Sequence, residues 1–220
     1  GTERLRCVVN KSLTDEEIRE AVQNAFSEGW RLIKLYFMVG LPTETRADLD
    51  GIVDTIQTIV HIGYEILKKA PQINLSVSSF IPKPHTPFQW EAMDPMDRLK
   101  EKHGYIRSRL KKFRFIKFNN VNFQASLLEA VFSRGDRRLN DVLMEAWMQG
   151  ARFDSWDEGF DFRIWERAFS RRGLDYSMYL DALDSESELP WDHIKTGIPK
   201  RILWEERQKA YSEEHTASCL

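Results

Sequence analysis

Few side chains in this sequence have the type and spacing that catalysis or metal binding requires. The two cysteines, Cys7 and Cys219, lie at opposite ends of the 220 residues, and the five histidines show no spacing typical of metal ligands. We therefore expect free thiols rather than a disulfide framework, and no metal cluster held by this chain alone. No catalytic residue can be assigned from this pattern.

Three ionisable side chains are candidates for ligand contacts. Glu44 follows a Gly-Leu-Pro-Thr turn, where its carboxylate either faces a ligand or interacts with the dipole of the helix that follows. His85 lies between prolines, as a substrate contact or as a surface turn residue. His193 follows Trp-Asp, as a ligand or base, or as a packed histidine of the core. We favour the structural role for each of the three.

The turn beside Glu44 follows a short apolar segment, Leu35–Val39. A continuous apolar run bounded by turn residues predicts a strand that is covered on both faces, as in a parallel sheet. Gly40 permits backbone angles closed to other residues and lets a ligand approach the main chain. Thr45 then begins a helix, with Asp48 completing the cap. The loop of this βα unit lies at the carboxyl end of its strand, where α/β folds bind ligands.

Helices and strands alternate on both sides of this unit, which is typical of a parallel α/β sheet or barrel. Gly63 is a candidate break in the long helix after Thr45. The predicted elements are a capped helix after Thr14, a helix over about 46–69, a strand over 73–81 that ends at the prolines of 82–87, a helix over about 96–110 and a strand over 114–119.

The composition changes after Asn120, because five of the seven tryptophans lie in the last 80 residues. Apolar residues recur at helical spacing over 139–147 and 162–169, and no sheet pattern reappears. The sequence therefore predicts two parts, an α/β part over residues 1–119 and a mostly helical C-terminal extension over residues 120–220.

Charge and hydropathy exclude some functions. Lys and Arg number 32 against 34 Asp and Glu, for a net charge of −2, so nothing global attracts nucleic acid or an anionic membrane. No apolar run reaches the roughly 20 residues of a membrane span, and no secretion leader is visible, which predicts a cytoplasmic protein without membrane partners. The chain begins at Gly1 rather than Met, so we expect a fragment of a longer protein.

Five short motifs follow one another along the chain. Three lie in the α/β part, at 1–6 with Asn10-Lys11, at Gly40–Thr45 and at Ser76–Pro87; two lie in the tail, Ser-Arg-Gly-Asp-Arg-Arg at 133–138 and Pro-Trp-Asp-His at 190–193. In order and spacing the first three resemble the second half of a radical SAM catalytic domain, as the turn after its fourth strand, the turn after its fifth strand, and its sixth strand with the exit from it. The third motif and the two tail motifs are similar to the cobalamin-binding-domain radical SAM subgroup of unassigned function.

The resemblance implies α/β architecture, as the second half of an open (β/α)6 partial TIM barrel. In that family a 4Fe–4S cluster on a CxxxCxxC loop binds S-adenosylmethionine (SAM) and splits it reductively to a 5′-deoxyadenosyl radical. This sequence has no such loop, so the cluster ligands would lie outside it. They would belong to the missing N-terminal half of the same protein, which is the expected partner of this chain. Substrate, reaction type and any cobalamin requirement stay open.

The resemblance also implies which residues contact the cofactor. These residues would line the cofactor site and would take no part in the reaction. Thr2 and Glu3 would lie near the methionine or ribose of SAM, and the adenine side would be lined by Met38, Gly40, Leu41, Phe80 and Ile81.

Two other functions stay open beside a radical SAM enzyme. The segment Arg107–Lys117 mixes six basic residues with Phe113 and Phe115, which suits RNA backbone contact and base stacking. The first alternative is therefore a non-catalytic helical interaction or RNA-binding module on an inactive α/β remnant. The second is a phosphate-binding α/β enzyme, which is less favoured because no Gly-rich phosphate loop follows a strand.

Overall fold

The computed structural model describes residues 1–156 and 158–216, so Cys219 lies outside the described residues. A short helix at Glu3–Val8 was not predicted; after it, helices and strands occur in the predicted order over the first 119 residues, and only helices follow among the described residues. The α-helices are α1 (Glu3–Val8), α2 (Asp15–Ser27), α3 (Arg46–Leu67), α4 (Met96–Leu110), α5 (Phe123–Arg134), α6 (Leu139–Met148), α7 (Phe162–Arg171) and α8 (Lys200–Tyr211); the strands are β1 (Leu32–Val39), β2 (Gln72–Ser79) and β3 (Ile116–Phe118).

The three strands form one parallel sheet in the consecutive order β1-β2-β3. The register pairs Leu32 with Gln72 and Val39 with Ser79, so β1 and β2 end level with each other. Right-handed crossovers between strands in consecutive order place both connecting helices on the same face of a sheet. Accordingly α3 packs against α4, and α2 packs against α3. The predicted parallel α/β architecture is confirmed.

Among the described residues only one face of the sheet is covered, so the prediction that β1 is covered on both faces is wrong. Every second residue of β2, from Ile73 to Ser79, is buried on the helical side. On the other side Tyr36 is 75% exposed and Met38 41% exposed. The apolar run could not show this because it records residue type and not whether a second layer is present.

Helix α3 begins where the cap signals predict and runs through Gly63 without a break. A Cβ atom on Gly63 would lie 2.6 Å from Cγ of Pro71, well inside van der Waals contact. The glycine therefore permits close packing between the helix and the chain that leads into β2, and it does not interrupt the helix.

The described residues divide into two compact units, each made of separate chain segments. The first unit contains 1–80, 95–121 and the residues from 204 onward, and the second contains 81–94 and 122–203. The predicted boundary after residue 119 lies two residues before the junction at Val121. The segment 81–94, however, belongs with the helical residues, and the segment from 204 onward belongs with the sheet.

None of the helices in the described part of the chain is long and apolar enough to cross a membrane.

Candidate functional site

The carboxyl edge of the sheet lies in the first unit, at the ends of β1 and β2. Gly40 follows β1 directly, is buried and has a φ of +84°, a conformation that favours glycine. The amide of Phe80 donates to the carbonyl of Val39 over 2.8 Å, which continues the strand pairing to this edge. The predicted turn is therefore placed at the end of the sheet where ligands bind in α/β folds.

Glu44 fixes the turn from inside. Its carboxylate accepts the amide N–H of Gly40 at 3.1 and 3.0 Å and pairs with the ammonium of Lys102 on α4 at 2.5 Å. Its side chain is only 2% exposed. Glu44 thus neither faces a ligand nor acts mainly on the helix dipole, and the Gly40 amide already has an internal acceptor.

Asp48 joins the same loop to the start of the chain. Its carboxylate, 1% exposed, accepts hydrogen bonds from the Thr2 hydroxyl, from Arg4 at 2.5 Å and from the Thr45 amide and hydroxyl. Burial alone would raise the pKa of Asp48, but the hydrogen bonds from Arg4, Thr2 and Thr45 outweigh burial and bring the pKa to about 2. Asp48 is therefore ionised at neutral pH and holds α1 against the loop.

Thr2 and Glu3, predicted near the methionine or ribose, have different surroundings. Thr2 caps α1 and lies close to α3, since a Cβ atom on Gly51 would meet its methyl group at 2.7 Å. Glu3 is exposed, and its carboxylate accepts the amide of Asp15 at the start of α2 over 2.6 Å. The structure brings Thr2, but not the Glu3 carboxylate, into the network that holds the turn after β1.

The residues predicted for the adenine side divide between the two units. Met38 lies on the open face of the sheet, Leu41 is half-buried in the turn and Phe80 is buried, 7% exposed. Ile81 is the first residue of the second unit and is half-buried there. Met38 is therefore the only residue predicted for the adenine side whose side chain is exposed in the first unit.

Ser79 is a polar residue at this edge that the sequence reasoning missed. It occupies the buried register of β2, after Ile73, Leu75 and Val77, and its hydroxyl has no hydrogen-bond partner among the described residues. A hydroxyl in the buried register of an apolar strand is the signal that could have identified it, because burying an unpaired hydroxyl costs about 1–3 kcal/mol.

The open face of the sheet combines apolar side chains with hydrogen-bonding groups. Tyr36 and Met38 are exposed on β1, while Ser76 and Ser78 lie on the same face of β2. Ser78 donates to the carbonyl of Phe37 at 3.2 Å, and the side-chain amide of Asn119 donates to Ser76 at 2.6 Å. A flat face with an aromatic ring, a thioether and hydroxyls suits a ligand that has both a π-system and polar edges.

The two singled-out histidines both lie in the second unit. His193 is exposed, so the prediction of a packed core histidine is wrong; the neighbouring Trp191 is the buried residue, 5% exposed. His85 lies in a turn, as predicted, but it is half-buried rather than fully exposed; it has a φ of +57° and lines a cavity of about 460 Å³.

The described residues offer no metal site. No group of three His, Cys, Asp or Glu side chains within 1–156 and 158–216 is arranged to hold a metal ion. Cys7 is free of any disulfide, and its thiol donates to the carbonyl of Glu213 at 3.1 Å.

The basic segment Arg107–Lys117 uses its aromatic rings internally. Lys112 lies over the ring of Phe113 at 5.0 Å and Arg107 over that of Phe118 at 5.2 Å. Phe113 also packs against Phe115, with ring centroids 5.7 Å apart. These cation–π and ring contacts take up surfaces that base stacking on RNA would use.

Comparison with known proteins gives one relative. An uncharacterized protein of Methanocaldococcus jannaschii is 35% identical over 143 residues, which is 65% of this chain and 30% of that protein. No known protein family matches the chain. No solved structure matches it. The chain therefore spans well under half of the curated relative that it resembles, and that relative carries no assigned activity.

Proposed function

We propose that this chain is part of a radical SAM enzyme, the second half of an open (β/α)6 barrel whose sheet lines the space for SAM. The expected activity belongs to the longer protein, which would cleave SAM reductively at a 4Fe–4S cluster and start radical chemistry on an unidentified substrate. The observation that carries the proposal is the one-sided sheet of the first unit.

The arrangement of strands and helices supports a barrel rather than a doubly wound fold. In a (β/α) barrel the helices lie outside, and the opposite face of the sheet faces the interior. Here α3 and α4 lie on one side, while Tyr36 and Met38 stay exposed on the other. A doubly wound phosphate-binding enzyme places helices on both faces, so this geometry disfavours that alternative.

The contacts at the carboxyl edge refine the roles that the resemblance implies. Met38 offers an exposed thioether to an adenine ring. Gly40 lets a ligand approach the main chain closely, but its amide is not available to the ligand, since Glu44 already accepts from it. Thr2 positions the loop through Asp48. For Leu41, Phe80 and Ile81 the proposal that they line the adenine side rests on the resemblance alone.

The residues present do not fit an iron–sulfur cluster. A 4Fe–4S cluster requires several thiolates close together, and Cys7 is the only cysteine in the part of the chain that the structure describes. We therefore derive no reaction step through a cluster, and no residue is assigned to cobalamin.

Binding of the adenosyl group can be tested on this chain with 5′-deoxyadenosine as the probe. Met38 gives one ¹³C-methyl signal, identified as the signal lost in Met38→Leu. On titration this signal should shift saturably, because the probe would lie against the open face. The measurement is a methyl-labelled NMR titration.

The matched control is Met144 on α6, which is 50% exposed in the second unit and outside the proposed site. Its signal should not move. Equal shifts at Met38 and Met144, or no shift at either, would remove the open face from the proposed cofactor site. A CxxxCxxC loop in the sequence that precedes Gly1 in the longer protein would favour the enzyme, and its absence would favour a binding module.

A protein-interaction module is a second candidate, favoured by exposed apolar side chains on α6 and in the residues that follow it. Clusters of exposed apolar side chains mark interaction sites. Those on and after α6 are Leu143 (45% exposed), Met144 (50%), Trp147 (55%), Met148 (59%), Phe153 (78%) and Trp156 (66%). Sedimentation equilibrium over a range of protein concentrations tests association between copies, which Trp147→Lys should then weaken; an unchanged monomer at every concentration contradicts self-association.

A further inference from the structure

A cavity of about 460 Å³ lies wholly within the second unit. His85 and Gln89 form one side of its wall, and Asp192, residues 194–200 and Leu203 form the remainder. A volume of this size is typical of small-molecule sites, which combine apolar walls with a few polar groups. Nothing in the proposed radical SAM function uses this cavity.

The orientation of the Gln89 amide is fixed by its neighbours. Its oxygen accepts the indole N–H of Trp191 at 2.7 Å and the backbone N–H of His85 at 3.0 Å. Because both partners are donors, the atom between them must be the oxygen, which leaves the NH₂ group as the other end. Gln89 is 1% exposed, and its NH₂ nitrogen has no hydrogen-bond partner among the described residues.

His85 adds a second unsatisfied nitrogen to the same wall. Its Nε2 atom is buried and makes no hydrogen bond within the described residues. Its backbone is held at a φ of +57°, a conformation that is uncommon for residues other than glycine, and the bond to Gln89 helps to hold it. Buried polar groups normally have partners. The Gln89 NH₂ group can only donate, so it lacks an acceptor, whereas His85 Nε2 donates or accepts according to the tautomer of the ring.

The remaining residues of the wall contribute positive charge and backbone donors. Lys200 pairs with Asp192 at 3.1 Å, whereas no ion pair involves Lys195 in the described part of the chain. The backbone N–H groups of residues 195–198 donate to no described group. Ile194, Ile198 and Leu203 supply apolar surface beside these donors. Donors and an unpaired cation beside apolar side chains suit an oxyanion on an organic body.

We propose that this cavity binds a small organic oxyanion, with the Gln89 NH₂ group and His85 Nε2 donating to its oxygens. The ammonium of Lys195 would balance its charge, and the apolar body would lie along Ile198 and Leu203. A carboxylate and a phosphate share this chemistry, and the proposal does not depend on the radical SAM function.

The side-chain NH₂ signals of Gln89 in a ¹⁵N NMR spectrum report on the site directly, and Gln89→Glu identifies them by their loss. Butyrate, inorganic phosphate and neutral butyramide serve as probes at constant ionic strength. We expect a saturable shift with butyrate, phosphate or both. Which of the two anions gives the shift shows whether the site takes a carboxylate or a phosphate. Butyramide should bind at least about tenfold more weakly, since it lacks the charge.

Variants separate binding from folding. Gln89→Glu keeps an oxygen for Trp191 and His85 but replaces the donor with a negative charge, so anion binding followed at other signals should fall at least about tenfold. Gln72→Glu, the same change at an exposed position of β2, should have no effect. If Gln89→Glu unfolds, His85→Asn, which tolerates the positive φ, and Lys195→Met should each weaken binding. No saturable shift with either anion, or equal shifts with butyramide, would overturn the proposal.

Discussion

At the scale of single residues, the acidic side chains around the turn after β1 stabilise the structure of the first unit. Glu44 and Asp48 are both buried, and each pairs with a cation that is distant in sequence, Lys102 and Arg4. Sequence reasoning found the capping role of Asp48 because a cap is local. It could not find either ion pair, because partners separated by more than 40 residues leave no pattern that a single sequence displays.

Removal of Arg4 should destabilise the first unit through Asp48. Arg4→Ala leaves a buried carboxylate with only hydroxyl and amide donors, and since Arg4 is 28% exposed we expect a loss of about 2–3 kcal/mol in unfolding free energy. Arg163→Ala, which breaks a pair whose arginine is 78% exposed, should have a much smaller effect, because water screens an exposed pair. Urea unfolding at neutral pH measures both. Equal losses would show that the Arg4–Asp48 pair is not special.

His103 gives the first unit a pH dependence with a definite sign. Burial, together with the nearby charge of Arg107, lowers its pKa from 6.5 to about 4. The unfolded chain therefore binds a proton between these values while the folded chain does not, so stability falls as pH decreases from 6.5 to 4. The loss should be about 2 kcal/mol, after allowance for partial exposure.

His103→Gln removes this titration, so its unfolding free energy should change less over the same pH range. His61→Gln is the control, because the His61 side chain is 75% exposed beside Glu65. Urea unfolding at several pH values between 4 and 7 measures the slope. A wild-type slope that is retained in His103→Gln would assign the effect to other groups.

At the scale of elements, local signals predicted where helices begin, and tertiary context decided where they bend or stop. The capping box at Thr14 and the cap at Thr45 mark the starts of α2 and α3. Gly63 gave a misleading signal, because glycine within a helix means either a break or a close approach of another segment. In the structure the explanation is close approach, because Pro71 packs directly against Gly63.

Two helical glycines should therefore respond oppositely to alanine. Gly104→Ala on α4 has nothing within 4 Å of the new Cβ and should stabilise the protein by about 0.5–1 kcal/mol, through helix propensity. Gly63→Ala gains the same propensity but forces its methyl group against Pro71, and should destabilise by about 1–3 kcal/mol. Chemical denaturation of the two variants gives the comparison. Stabilisation by both substitutions would contradict the close packing at Pro71.

At the scale of the whole molecule, the sequence predicted the parallel α/β part and the helical part, but not their exchange of segments. Residues 81–94 follow β2 yet belong with the helical unit. Proline-rich turns such as 82–87 show where a strand stops and carry no information about what the chain then joins. The cavity at His85 and Gln89 was missed for this reason, since its two walls are separated by about a hundred residues.

The proposed division of labour within a longer protein predicts how this chain responds to iron. Anaerobic reconstitution with iron and sulfide should give no stoichiometric 4Fe–4S cluster, because Cys7 and Cys219 alone cannot supply the three clustered thiolates of a CxxxCxxC loop. Iron and sulfide analysis with the visible absorption spectrum measures this. A stoichiometric cluster on the isolated chain would overturn the assignment of its ligands to residues outside it.

The position of β1 at the edge of the sheet has a consequence for colloidal behaviour. Its eight residues, Leu-Ile-Lys-Leu-Tyr-Phe-Met-Val, are rich in β-forming side chains, and one backbone edge is unpaired in the described structure. Such an edge is a template for strand addition and amyloid-like stacking, and Lys34 is the single charge that opposes it. In concentrated solution Lys34→Val should therefore accelerate fibril formation, detectable with an amyloid-binding dye, whereas a further strand docked along β1 would suppress it.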